Sequence, residues 1–287
     1  MKTILLLLTI ATGILFPYGH EYTFLIRYFL MVMLFFSFLD VRVDRDIITK
    51  KHFVILSTII ITASLFFLLI KPFSVELAQT AFITAIAPTA IAAPVITSLK
   101  RKKVEFVAFS LLLNNFTIAL LIPFMLPFVM QNHAEISITD VLYPILITFS
   151  VPFASAQILK VISKKIWTRL VNWKDVSFYI LILNIYIATS DASNYIRSEF
   201  SNNLNIIFLI AGASALLCVF FFGLGWIIGG KEYHHEASQS LGQKNNAFTI
   251  WLSLTYMNPI SAIGPVFYVF FQNLYISYEL HKHRHEK

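Results

Sequence analysis

The sequence predicts an all-α polytopic membrane protein of ten transmembrane helices, on three observations. The chain is 57% apolar and 13% charged, with a mean hydropathy of +0.74, where soluble domains carry about 25% charged residues. That deficit runs along the whole length, which excludes a soluble domain on a single anchor. The apolar runs are continuous, as spanning helices require, and do not alternate as barrel strands do. Basic residues fall in short clusters between the runs, on alternating sides of the membrane. At roughly 20 residues per span with short loops, the chain holds about nine or ten helices.

The segments, in order, are Thr3–Phe16, Phe24–Leu39, Phe53–Ile70, Val75–Leu99, Val104–Met130, Ile138–Ile162, Val176–Ser190, Leu204–Ile228, Glu236–Met257 and Ile260–Tyr278. The first begins with one charge and a short apolar core, like a signal peptide. Pro17-Tyr18-Gly19-His20 follows it instead of a small-x-small cleavage site, so it reads as a first membrane helix. The fourth carries Pro88 and Pro94 with small residues between them. Each proline removes a backbone N–H and disfavours helix at the residue before it. The ninth carries a polar run from Glu236 to Phe248 with Gly242 at its centre.

The basic residues test this count. With ten spans and both ends cytoplasmic, the inner side holds Lys2; Arg42, Arg45, Lys50 and Lys51; Lys100 to Lys103; Lys160, Lys164, Lys165, Arg169 and Lys174; Lys231; and Lys282, Arg284 and Lys287. That is 18 of the 22 Lys and Arg; the other side holds Arg27, Lys71 and Arg197, and Lys244 is left inside the ninth segment. One missed span would break the alternation. The expected location is the inner or plasma membrane, with residues 281–287 as a basic cytoplasmic tail. The net charge of +7 therefore suits anionic lipid and excludes nucleic acid as the partner it implies. Cys218 is the only cysteine, which excludes an internal disulfide and any CxxC site.

Ten spans divide into two sets of five, about 1–131 and 137–280. An odd number per half turns the second half upside down, and inverted repeats of this kind are a common build of secondary transporters. Their binding sites are marked by interrupted segments at matching positions. Both interruptions here fall in the fourth span of their half.

Several stretches resemble the bile acid:sodium symporter family. Leu30 to Leu39 followed by Asp40 to Arg45 resembles the family's second helix and its exit. Pro88 to Arg101 resembles its small-residue break and basic turn. Gly242-Gln243-Lys244-Asn245-Asn246-Ala247-Phe248 resembles its glycine-x-glutamine-asparagine-small-small-apolar motif. Asn258-Pro259, Gly264-Pro265, Tyr268 and Gln272 to Ser277 resemble its last helix. No single motif is specific, but their order and spacing cover nearly the whole chain. The resemblance implies one membrane domain with a panel of spans one, two, six and seven. It implies a core of spans three to five and eight to ten, in which broken spans four and nine cross. It implies transport of an organic anion with sodium by movement of core against panel.

The sequence departs from the family at the sodium ligands. In the ungapped match, Ser240 stands at the family's glutamate and Lys244 at its glutamine, Asn245 keeps the asparagine, and Pro94 replaces an asparagine ligand. With a one-residue gap, Gln243 falls on the glutamine instead. An ammonium and a proline supply no oxygen for sodium.

Lys244 is the most informative candidate, because an ionisable residue inside a membrane costs a few kcal/mol unless paired or hydrated. It is expected to occupy the place of a sodium ion, donating to loose carbonyl ends of the broken helices and attracting an anionic substrate. By titrating, it would couple transport to protons. The plainer alternative is a lysine snorkelling to the inner face. Glu236, Ser240 and Lys244 share one helical face, so Glu236 is either a substitute carboxylate or an exposed acid at a helix start. Asn114 and Asn115, adjacent amides in mid-span, serve either the site or helix packing. Asn246, Thr89 and Thr97 complete the candidates; hydroxyls in membrane helices also bond back to their own backbone. Asn184, Gln272 and Asn273 read as structural, and the neighbouring His234 and His235 as a solvated loop pair.

The expected function is secondary transport of a bile-acid-like anion or small carboxylate by alternating access, coupled to protons or to no ion rather than to sodium, with no cofactor. A rival is an intramembrane hydrolase with His234, His235 and Glu236 as its catalytic face, although no nucleophile–base pair or metal spacing accompanies them. A third reading is a non-transporting sensor on the same fold.

Overall fold

The computed structural model describes residues 2–39, 47–130, 138–171, 173, 176–199 and 205–285. Their regular structure is helical, with no strand among them. The helices are α1 (Lys2–Leu15), α2 (Leu25–Leu39), α3 (Lys50–Ile70), α4 (Val75–Ile86), α5 (Ala93–Leu99) and α6 (Val104–Met130). They continue as α7 (Ile138–Ile162), α8 (Lys164–Val171), α9 (Val176–Glu199), α10 (Asn205–Gly242), α11 (Asn246–Tyr256) and α12 (Pro259–His285). A 3-10 turn, Pro17–Tyr22, links α1 to α2. Six described helices are long and apolar enough to cross a membrane, and Leu5–Leu15, Leu25–Leu39 and Val75–Ile86 are shorter apolar helices. Large apolar side chains such as Phe73, Phe128, Phe208 and Val219 face outward. The chain is an all-α, membrane-embedded protein.

Local chemistry sets the ends that matter. The Ser74 hydroxyl accepts the Leu77 N–H at 3.2 Å and starts α4, as an N-cap does. Ala87 precedes Pro88 and turns extended, at φ −51° and ψ 127°, which ends α4. Pro94 lies not in the break but in the first turn of α5, where its missing N–H leaves no bond unmade. The interruption is therefore 87–92 and contains one proline.

The eighth segment of the sequence is the first arm of α10, and the ninth is its second arm followed by α11; the chain reverses between the two arms, where the sequence separates the segments. Gly230 has φ 59° and ψ −151°, a conformation that essentially only glycine adopts. The Ser238 hydroxyl donates to the Phe222 carbonyl at 2.8 Å, although 16 residues of straight helix would span about 24 Å. Gly225 lies against the backbone of Ala237 and Ser238, and Gly229 against His234. The arms 205–229 and 234–242 thus run antiparallel in direct contact, joined by a tight turn at 230–233 in which Tyr233 (φ −129°, ψ 24°) also leaves helical geometry. His234, His235 and Glu236, expected in a loop or at its edge, begin the second arm directly after this turn.

The seventh segment runs past Ser190 to Glu199, because Ser193 Oγ and Arg197 both donate to the Ile14 carbonyl at the end of α1. Residues 281–285 extend α12 rather than forming a tail. The Asp40 to Arg45 exit, with Arg42 and Arg45, lies outside the described residues, as do Lys174 and Lys287. The principal packing pairs are α1 with α9, α2 with α7, α3 with α4, and α12 with α10 and α11.

Candidate functional site

The two interruptions meet. Thr89 and Lys244 form an isolated antiparallel bridge. The Ala90 N–H donates to the Gln243 carbonyl at 2.8 Å, and the Asn245 N–H donates to the Pro88 carbonyl at 2.7 Å. Each break thus supplies partners for the backbone groups that the other leaves free, which is what allows non-helical backbone inside a membrane protein.

Buried side chains lock this crossing. Thr89 donates from its hydroxyl to the Ser240 carbonyl at 2.6 Å and accepts from Asn114 Nδ2 at 2.7 Å. Asn115 Nδ2 donates to the Thr89 and Leu111 carbonyls, each at 2.8 Å, and Asn115 Oδ1 accepts from Asn245 Nδ2 at 3.0 Å. Asn245 Oδ1 also caps α11 by accepting the Phe248 N–H at 3.4 Å. Gln272 Oε1 accepts the Lys244 N–H at 3.0 Å and Asn246 Nδ2 at 3.4 Å. The Tyr268 hydroxyl donates to the Gly242 carbonyl at 2.8 Å. Gln272, read from the sequence as structural, ties α12 to the backbone and Asn246 of the crossing and also lines the cavity beside it.

Lys244 is 2% exposed. Its Nζ donates to the Ala85 carbonyl at 3.1 Å and sits 3.7 Å from the centroid of the Phe221 ring, a cation–π distance. Ala85 is in the last turn of α4, where carbonyls have no partner in their own helix. No ion pair to Lys244 exists among the described residues. The side chain does not snorkel; it ends between α4 and the first arm of α10.

Other candidates are placed elsewhere. Glu236 is buried, not exposed, and its carboxylate accepts the Lys103 N–H at 2.9 Å, just before α6. Its shared face with Lys244 does not form, because the helix stops at Gly242. The Ser240 hydroxyl donates to the Glu236 carbonyl and the Thr97 hydroxyl to the Ala93 carbonyl, both one turn back in their own helices. Gln243 Nε2 donates to Gln239 Oε1, and Gln239 Nε2 to Glu279 Oε2 at 2.7 Å. Glu279 Oε1 pairs with Lys100 Nζ at 3.1 Å, and Lys100 lies 3.2 Å from His235 Nδ1. Sequence reasoning missed this chain, since Lys100 and Glu279 are far apart in sequence and sit among loop and tail charges. The His234 ring packs 4.3 Å from Trp226. Asn114 Oδ1, Gln243 Oε1 and Asn246 Oδ1 are buried acceptors without a protein partner, and a donor-bearing ligand would satisfy them.

A cavity of about 400 Å³ adjoins the crossing. Met33, Phe36 and Ser37 of α2 with Phe178 and Leu181 of α9 form one wall. Residues 90–92, Pro94, Lys244–Ala247 and Gln272 form the other. Val104, Glu105 and Ser177, at the starts of α6 and α9, also line it, so it lies towards the end that carries the Lys100–Lys103 cluster. The first turn of α11 contributes Asn246 and Ala247, the positive end of that helix. Lys244 lines the cavity, but its Nζ is held by Ala85 and Phe221, which do not. Near this mouth, a hydrogen bond to Glu232 pushes the exposed Lys103 amine above its ordinary value.

At the opposite end, side chains join α2, α7 and α11. Arg27 donates to Thr148 Oγ1 at 3.0 Å and the Pro144 carbonyl at 3.1 Å, and its guanidinium lies 5.8 Å from the Trp251 ring centroid. The Tyr256 hydroxyl donates to the Asp140 carbonyl at 3.3 Å. Arg27 entered the sequence reading only as a count of loop charge, and its partners are more than a hundred residues away. Compared with known proteins, the chain matches no family model and no curated sequence.

Proposed function

We propose that this protein is a ten-span secondary transporter that moves an organic anion by alternating access. Its spans are α1, α2, α3, α4 with α5, α6, α7, α9, the two arms of α10 with α11 continuing the second, and α12. They form two inverted repeats of five. The panel is α1, α2, α7 and α9, and the core is α3 to α6 with α10 to α12. On this reading the protein is related to the bile acid:sodium symporter family. It lies in the inner or plasma membrane with both termini and the cavity mouth in the cytoplasm.

The observation that carries the proposal is the crossing of 88–90 with 243–245 beside the 400 Å³ cavity between α2 and α12. Interrupted helices that cross at a cavity are a recurring transporter site. The α11 N-terminus and the amides of Asn245 and Asn246 favour an anionic head there, and the apolar α2–α9 wall suits a hydrocarbon body. Lys244 Nζ takes the free carbonyl of α4 that a cation would otherwise seek, which supports proton coupling or none rather than sodium. Arg27 with Trp251 and Tyr256 with Asp140 hold the outer side closed in this inward-open arrangement. The hydrolase reading is weaker, because His235 and Glu236 are engaged with Lys100 and the Lys103 backbone.

The test is counterflow in proteoliposomes with a bile acid and a panel of small carboxylates, with sodium and pH varied. Exchange independent of sodium is expected. Sodium-dependent exchange would remove the role given to Lys244. Binding without exchange would favour a sensor, and hydrolysis of an added ester an enzyme.

A further inference from the structure

We infer that the basic face of α8 docks the phosphate headgroups of anionic phospholipids. The helix reads Lys164-Lys165-Ile166-Trp167-Thr168-Arg169-Leu170-Val171. Its apolar residues fall at 166, 167, 170 and 171 and its polar ones at 164, 165, 168 and 169. Positions four apart share a face, so the two sets form opposite faces of the helix. None of its residues is buried.

Its depth in the bilayer follows from α7. Twenty-five residues make about 37 Å of helix, enough to cross a hydrocarbon core of about 30 Å. At its end Ile158, Val161 and Ile162 are exposed, as lipid-facing residues are. One residue later, the Ser163 hydroxyl accepts the Ile166 N–H at 3.4 Å and restarts the chain as α8. The Trp167 indole N–H donates to the carbonyl of Leu39, the last residue of α2, at 2.8 Å. This bond fixes α8 against α2 where acyl chains give way to headgroups, and the exposed Ile166 lies on its apolar side.

The charges of α8 lie on one side of it. Lys160, Lys164, Lys165 and Arg169 are exposed and have no ion pair among the described residues. No acidic residue occurs from 157 to 171. In the other basic cluster near this end, Lys100 is held by Glu279 and Lys103 by Glu232. Four exposed cations within ten residues, beside an apolar edge, complement an anionic lipid in both its parts. A zwitterionic lipid offers no net charge to them. The surface does not depend on the transport reading, and its test measures no transport.

The experiment reconstitutes the full chain in phosphatidylcholine vesicles containing brominated phosphatidylglycerol or, at equal mole fraction, brominated phosphatidylcholine. Quenching of Trp167 and Trp173 is read as the difference from a Trp167→Phe/Trp173→Phe variant. The brominated anionic lipid is expected to quench more. The Lys164→Gln/Lys165→Gln/Arg169→Gln variant is expected to lose that excess, by roughly five-fold in relative affinity for each cation. A Lys164→Arg/Lys165→Arg variant is expected to retain it, which separates lost charge from altered folding. Equal quenching by the two lipids, an undiminished excess in the triple Gln variant, or abolition of the excess by millimolar inorganic phosphate would each overturn the proposal.

Discussion

Two lysines are buried near the crossing, and they are accommodated in opposite ways. Lys100 is 4% exposed, pairs with Glu279 and meets His235; Glu279 in turn holds Gln239 and Tyr275. Every charge there has an opposite charge or several donors, which is how a protein stabilises ions away from water. Lys244 is 2% exposed and has one carbonyl and one aromatic face. Isolated amines are not kept in such surroundings for stability, because a methionine would fill the space without the desolvation cost. On the proposed function, Lys100 serves the fold and Lys244 the work of the crossing.

The largest effect expected from that division is on Lys244. Lys244→Met should lower exchange in proteoliposomes by more than about tenfold. Its unfolding free energy should fall by no more than about 1 kcal/mol, the value of one hydrogen bond. Unchanged exchange, or a large loss of stability, would make Lys244 a structural residue like Lys100. The second effect concerns the paired lysine. Glu279→Ala leaves Lys100 buried without its carboxylate, and breaking a buried pair costs about 3–5 kcal/mol. Thermal melting in detergent should drop accordingly, and Lys100→Met/Glu279→Leu should recover most of the loss. A single variant as stable as the native protein would mean that water reaches Lys100.

The sequence carried the helices better than it carried the site. Unbroken apolar runs fix spans such as Val104–Met130 and Ile138–Ile162 to the residue, because burial in lipid is a property of the run itself. The break after Ala87 was legible because Pro88 acts locally. The reversal between Ile228 and Glu236 was legible as the gap between two apolar segments, but its tightness at Gly230 was not, because a glycine pair ahead of Lys231 looks the same whether it opens a loop or a tight turn. At the site, residues 88–90 were legible as a proline break among small residues and 243–245 as polarity where none is expected. Glu236 was misplaced because its partner, the Lys103 backbone, is 133 residues away. Lys100, Glu279 and Arg27 were absorbed into loop charge for the same reason: their roles lie in contacts between distant segments.

Two threonines carry the same distinction to its smallest effects. Thr89 sits between three other groups: it donates to the Ser240 carbonyl, accepts from Asn114, and its own carbonyl receives Asn115. Thr89→Val keeps the shape and the backbone bond but leaves the Ser240 carbonyl and Asn114 Nδ2 without the hydroxyl. Unsatisfied buried groups cost about 1–3 kcal/mol each, so for these two a loss of about 2–6 kcal/mol is expected, together with slower exchange. Thr97 is equally buried, yet its hydroxyl only donates to the Ala93 carbonyl one turn back, a bond that adds little to a helix. Thr97→Val should therefore change melting by less than about 0.5 kcal/mol and leave exchange untouched. If the two variants behaved alike, burial alone would govern both positions and the crossing would be ordinary core. If only Thr89→Val fails, the hydrogen bonds between the two breaks hold the site together.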